Sequence, residues 1–134
     1  MRGKKIIRLA IVVSIFTVCA SFSSYSYEAN TEVIVISQNG DILAFSSQSN
    51  HWVSTSIHTH EKMVSTESQG NIGVVVTTKR ILWFSVITDE WSYDFLKKRE
   101  KIGEIIIEGN VAVIKTNERA IGFSAHTGQW TAVQ

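Results

Sequence analysis

An all-β fold of three tandem units is predicted for this chain of 134 residues. Three observations carry that expectation. Phe45, Phe84 and Phe123 recur at one constant spacing without a gap, and so do Ser46, Ser85 and Ser124, and Trp52, Trp91 and Trp130. That spacing defines a unit of about 39 residues, within the range of tandem structural repeats. Around these anchors, short apolar runs are bounded by Gly and Asn, the pattern of strands and tight turns. Proline is absent, as suits a chain whose amides are committed to strand ladders, and no stretch after Ala20 has a helical period.

The repeats run over about 23–61, 62–100 and 101–134, and each is expected to hold four strands. The first strand is placed at 33–36, 73–76 and 111–114, and the second at 42–46, 81–85 and 120–124. The third begins at each repeated Trp. The fourth is 62–68 and 101–108, with 23–28 as the copy that precedes the first unit. Gly70-Asn71 and Gly109-Asn110 suit two-residue hairpins, because both residue types tolerate positive φ. Asn39-Gly40, Asp89-Glu90 and Thr127-Gly128 mark further turns. In the first two strands both alternating faces are apolar. Ile34 and Ile36 oppose Val33 and Val35, and Ile81 and Trp83 oppose Leu82 and Phe84. A strand of that kind lies between two layers. Ser92-Tyr93-Asp94 and Ser65-Thr66-Glu67 are more polar and predict wet outer strands.

The segment Ala120-Ile121-Gly122-Phe123-Ser124-Ala125-His126-Thr127-Gly128-Gln129-Trp130 resembles the blade of a quinoprotein-type or kelch-type β-propeller. Such blades run from a strand through a turn with Thr-Gly to a Trp that opens the next strand. Residues 81–91 are similar, with Thr88-Asp89 at the turn, and 42–52 depart furthest. The double glycine of kelch blades is missing, and Ser46, Ser85 and Ser124 stand where those blades carry aspartate. The resemblance implies propeller-blade-like units. It carries no cofactor-binding residue and no activity to any position here. Propellers typically have roughly four to eight blades, so three do not close a ring. Two chains could pair into a six-bladed ring, with strand 23–28 completing the third unit of the partner. The alternative is a β-trefoil, which closes within one chain.

The N-terminus reads separately. Arg2, Lys4, Lys5 and Arg8 precede an apolar run from Leu9 to Ala20. A basic stretch followed by about 12 apolar residues predicts a signal peptide at 1–20, and the run is too short to span a bilayer comfortably. Export to the periplasm or beyond follows. Cys19, the only cysteine, lies in this segment. Phe16-Thr17-Val18-Cys19 is similar to a lipoprotein cleavage box but departs from it before the Cys, so lipid anchoring is disfavoured. Without the leader no cysteine remains for a disulfide, a nucleophile or a metal. Removing the leader takes away four of 13 basic residues and none of 12 acidic ones, leaving a net charge of −3. Nucleic acid is therefore not an expected partner.

Candidate chemistry is thin. His58 and His60 would share a face of a strand, but one repeat further on the same places hold Lys97 and Arg99. That favours an exposed hairpin tip at 58–61 and a solvated charge run at 97–100, with no metal. The recurring serines are expected to satisfy amides at strand ends rather than to attack a substrate. Trp52, Trp91 and Trp130 are candidate sugar-stacking platforms, against the alternative that each plugs the space between units. Trp83 is replaced by Ala44 and Gly122 in the other copies, so the repeat does not require it and it could be exposed. The expected function is a non-catalytic binding or assembly module of the bacterial cell envelope, without cofactor. A homodimer or another envelope protein is the expected partner. The alternative is a carbohydrate-binding protein that uses one Trp per repeat.

Overall fold

The computed structural model describes residues 31–134; the expected leader, Cys19 and strand 23–28 lie outside the described residues. The described chain is all-β and forms three antiparallel sheets. Sheet I holds β1 (Val33–Gln38), β2 (Asp41–Ser46) and β3 (Trp52–Ser56). Sheet II holds β4 (Met63–Gln69), β5 (Ile72–Thr77), β6 (Arg80–Ser85) and β7 (Glu90–Phe95). Sheet III holds β8 (Ile102–Glu108), β9 (Val111–Thr116), β10 (Ala120–Ser124) and β11 (Gln129–Val133). Each sheet is a meander of consecutive strands.

Two expectations about closure change. A barrel closes through strand pairing between units. No described strand pairs outside its own sheet, so the trefoil alternative does not describe these sheets. Sheet III is also already four-stranded, because 102–108 pairs with the strand that follows it in sequence. It awaits no strand from a partner.

The turns follow from their residues. Asn39 and Gly40 both take positive φ, 53° and 81°, which is the type I′ requirement for a two-residue hairpin. At Gly70-Asn71 and Gly109-Asn110 only the glycine does, at 54° and 57°. That is the type II′ pattern, with glycine first, so the asparagines serve another purpose. The longer turns end on Asn50, Asp89 and Gly128, at 55°, 58° and 65°. Each of these donates its N–H to the carbonyl of Ser46, Ser85 or Ser124 at 2.8–2.9 Å. Asn and Asp tolerate the left-handed region better than other side chains, so they can stand where the third copy has glycine.

The sheets stack face to face. Sheet II lies in the middle, and every residue of β5 and β6 is buried. One of its faces packs Val75, Leu82 and Phe84 on Val33, Val35, Ile42 and Ala44 of sheet I. Its other face packs Ile72, Val74, Ile81 and Trp83 on Ala112, Ile114, Ile121 and Phe123 of sheet III. The end sheets bury one face only, and their central strands alternate between covered and open positions. The expectation that both faces of these strands are covered therefore holds for the middle sheet alone.

The stacking repeats with the sequence. Glu32 N–H donates to Gly70 O at 2.9 Å between sheets I and II, and Asn71 N–H to Gly109 O at 3.1 Å between sheets II and III. The two donors are one repeat apart, and so are the two acceptors. Asn71 Nδ2 also donates to Asn110 Oδ1 at 2.6 Å, which is the purpose of asparagine at this place.

Candidate functional site

The residues that link the sheets explain most of the side chains that look chemical in the sequence. The segment after β3 turns back at His58 and carries Glu61 into the protein, where it is only 6 % exposed. Arg80, at the start of β6, donates from Nε to Oε1 at 2.8 Å and from Nη2 to Oε2 at 2.9 Å. The Thr77 hydroxyl donates to Oε1 and the His58 amide to Oε2. The guanidinium also donates to Ser56 O, at the end of β3. The clamp thus ties the connection between sheets I and II to the body of sheet II. Burial would raise the Glu61 pKa. The hydrogen bonds from Arg80, Thr77 and the His58 amide outweigh it and bring the value from 4.5 to about 2.

The next junction repeats this. Arg119 holds Glu100 at 2.7 and 3.1 Å, the Thr116 hydroxyl and the Lys97 amide complete the carboxylate, and Arg119 also donates to Phe95 O. Burial acts to raise the Glu100 pKa and the same kinds of donor lower it overall. Arg119 further pairs with Asp94 at 2.7 Å. Sequence reasoning places 58–61 at a hairpin tip and 97–100 in a solvated run. Both are in fact connections between sheets, and each sends one carboxylate inward to an arginine, the buried Arg80 or the largely shielded Arg119. His58 and His60 stay exposed, and among the described residues no group of three or more His, Cys, Asp or Glu could hold a metal ion.

Two of the three repeated serines, Ser46 and Ser85, serve the turns. Ser46 Oγ accepts from the amides of Gln48 and Ser49 at 3.2 and 3.4 Å, and Ser85 Oγ accepts from Thr88 N at 3.1 Å. The Ser85 hydroxyl donates in turn to Ala125 O, in the turn that follows β10. A short acceptor at this place caps the strand end, the role open to either Ser or Asp.

The three candidate tryptophans are not equivalent. Trp91 is half-buried among the residues between sheets I and II and donates its indole N–H to Val53 O at 3.0 Å. Trp130 is half-buried between sheets II and III and donates to Tyr93 O at 3.2 Å. Trp52 is 51 % exposed. Trp83 is fully buried, contrary to the expectation of exposure, and stacks on Phe123 and Trp130 with centroids 5.7 and 6.0 Å apart. It lies on the inner side of a sheet covered on both faces, where the open face of sheet III needs only Gly122.

Trp52 belongs to a larger feature. Cross-strand register places Ile34 opposite Phe45, Phe45 opposite Trp52, and Ile36 opposite Leu43, so these five side chains share the outer face of sheet I. Ile34 is 60 % exposed and Ile36 39 %. In sheet II the same five places hold Gly73, Val75, Leu82, Phe84 and Trp91, and sheet I covers them. Phe45 and Trp52 lie 5.1 Å apart at a 50° tilt, and Phe84 and Trp91 lie 5.2 Å apart at 55°. The outer face of sheet I therefore has the residues and ring geometry of a covered face, and no described sheet covers it. The far side of sheet III is open too, with Val111 53 % and Val133 66 % exposed.

No family model, no curated protein and no solved structure matches the chain.

Proposed function

We propose that this chain is an exported, non-catalytic assembly module of the cell envelope, built from propeller-type blades, that works by docking a sheet face. The observation that carries the reading is the open apolar face of Ile34, Ile36, Leu43, Phe45 and Trp52. Contiguous apolar patches rimmed by polar residues mark interaction surfaces. The basic and then apolar N-terminus supports export. The assignment of Ser46 and Ser85 and of Glu61, Glu100, Arg80 and Arg119 to turns and junctions supports a scaffold over an enzyme. Residues 21–134, offered ester, glycoside, phosphate and lyase substrates, should turn over none. Turnover that is lost on Ser124→Ala or His126→Ala overturns the reading.

A carbohydrate-binding reading keeps one supporting observation, the exposed Trp52 ring. It predicts glycan-dependent quenching that disappears in Trp52→Ala, with Trp91 and Trp130 silent.

A further inference from the structure

We propose that the open face of sheet III docks, head to tail, on the open face of sheet I of a second copy, so that two chains close a ring of six sheets. The proposal rests on the assembly reading and names its partner.

The two open faces are the two halves of a contact that the chain already makes internally. Val33, Val35 and Ala44 cover the Phe84–Trp91 face of sheet II. Sheet III carries Val111, Val113 and Gly122 at those three places. Docking in trans therefore repeats the sheet I–sheet II contact at these three places, with Ala120 in place of Ile42 and Thr131 in place of Val53 at its margin. A symmetric pairing of two sheet I faces would set aromatic rings against aromatic rings and leave both sheet III faces open.

Ring geometry selects the same pairing. Where the small Ala44 faces sheet II, Phe84 and Trp91 keep their 55° tilt. Where the large Trp83 faces sheet III, Phe123 and Trp130 lie nearly parallel to it instead, at 11° and 23°. Phe45 and Trp52 hold the tilted arrangement, at 50°. They are set for a small residue, and Gly122 is the smallest. A Cβ built on Gly122 meets nothing within 4 Å.

A socket is present as well. Thr31, Glu32, Ile34, Phe45 and Ser47 line a pocket of about 130 Å³. In the internal contact, Val33 packs on Phe84 and Val86, the places of Phe45 and Ser47. Val111 is the counterpart of Val33, and it is the residue that enters this pocket. The polar contacts extend in the same way. Asn110 N–H reaches Thr31 O of the second copy, as Glu32 reaches Gly70 and Asn71 reaches Gly109. The Trp52 indole donates to the second copy's β11, at the carbonyl of Thr131 or Ala132. A head-to-tail contact closes only if its rotation returns to the start, and six units lie within the range of known rings.

The test uses residues 21–134 and two variants, Phe45→Asp and Gly122→Arg, with circular dichroism to show that each is folded. Light scattering should give twice the chain mass for the wild type and the single-chain mass for each variant alone. An equimolar mixture of the variants should recover the double mass. One of its two junctions joins unmodified faces, and the other sets Asp against Arg. A wild type that stays single-chain at about 0.1 mM overturns the proposal, as does Gly122→Arg that remains double, or folded variants that do not complement. A single-chain wild type that turns over no substrate removes the second copy as partner but leaves the assembly reading. Turnover removes the assembly reading, and turnover by a single-chain protein removes both.

Discussion

Arg80 grips Glu61 through two parallel hydrogen bonds, Nε to Oε1 at 2.8 Å and Nη2 to Oε2 at 2.9 Å, and both side chains are almost wholly shielded from solvent. Arg80→Ala leaves a buried carboxylate without its partner, and losses of this kind run to about 3–5 kcal/mol. The double change Arg80→Met with Glu61→Leu should cost much less, because no buried charge remains. Urea midpoints of the three proteins test this. Equal losses for the single and double variants would show that the clamp acts through shape and not charge.

The same clamp sets the response to acid. The folded pKa of Glu61 lies below its unfolded value, and that of Glu100 is lowered too. The Glu61 contribution is therefore complete above about pH 4.5 and is lost as pH falls toward about 2, and that of Glu100 is lost in the same direction. Thermal midpoints should be flat from pH 7 to 5 and then fall. In Glu61→Gln the fall should be shallower. An unchanged acid limb in that variant contradicts the assignment.

The parts of the fold legible in the sequence are those that depend on local pattern. Strand positions, hairpins and the role of Ser46 and Ser85 follow from alternation, turn chemistry and recurrence. The clamps leave a trace in the sequence that is easy to miss. Glu61 and Glu100, Thr77 and Thr116, and Arg80 and Arg119 each recur one repeat apart. The trace is weak because Asp41 stands at the first copy's arginine place, and because each Glu meets its distant Arg only once the connection folds back. Trp83 is misleading for a different reason. Its environment is fixed by its sheet's place in the middle of the stack, and a repeat that treats every copy alike does not encode that. The open face of sheet I is hidden for the same reason, since its sequence is that of a covered one.

Gly70 and Gly109 separate backbone strain from crowding. Both take positive φ, so alanine is strained at either place. Only at Gly70 would the added Cβ lie 2.6 Å from a neighbour, Gly109 O. Gly70→Ala should therefore cost clearly more than Gly109→Ala, about 2–3 against about 1 kcal/mol. Chemical denaturation of the two variants decides it, and equal losses would place the whole effect in φ.

Trp83→Ala should lose about 3–5 kcal/mol, because it empties the space between sheets II and III. Trp83→Phe should lose less than half of that. The buried Trp83 Nε1 has no hydrogen-bond partner among the described residues, so phenylalanine sacrifices ring area but no polar contact. A loss in Trp83→Phe as large as in Trp83→Ala would point to a partner for that N–H.

Hydrogen exchange of the four indole N–H groups tests most directly whether the internal sheet contact is repeated between copies. Trp91 and Trp130 donate to Val53 O and Tyr93 O, and Trp83 is buried, so these three should exchange slowly. Trp52 has the same place in its sheet as Trp91 but no cover among the described residues. In protein of residues 21–134 at about 0.1 mM, head-to-tail docking predicts a Trp52 indole protected like that of Trp91, with protection lost on dilution. A Trp52 indole that exchanges at the free rate, while the other three stay protected, contradicts the account.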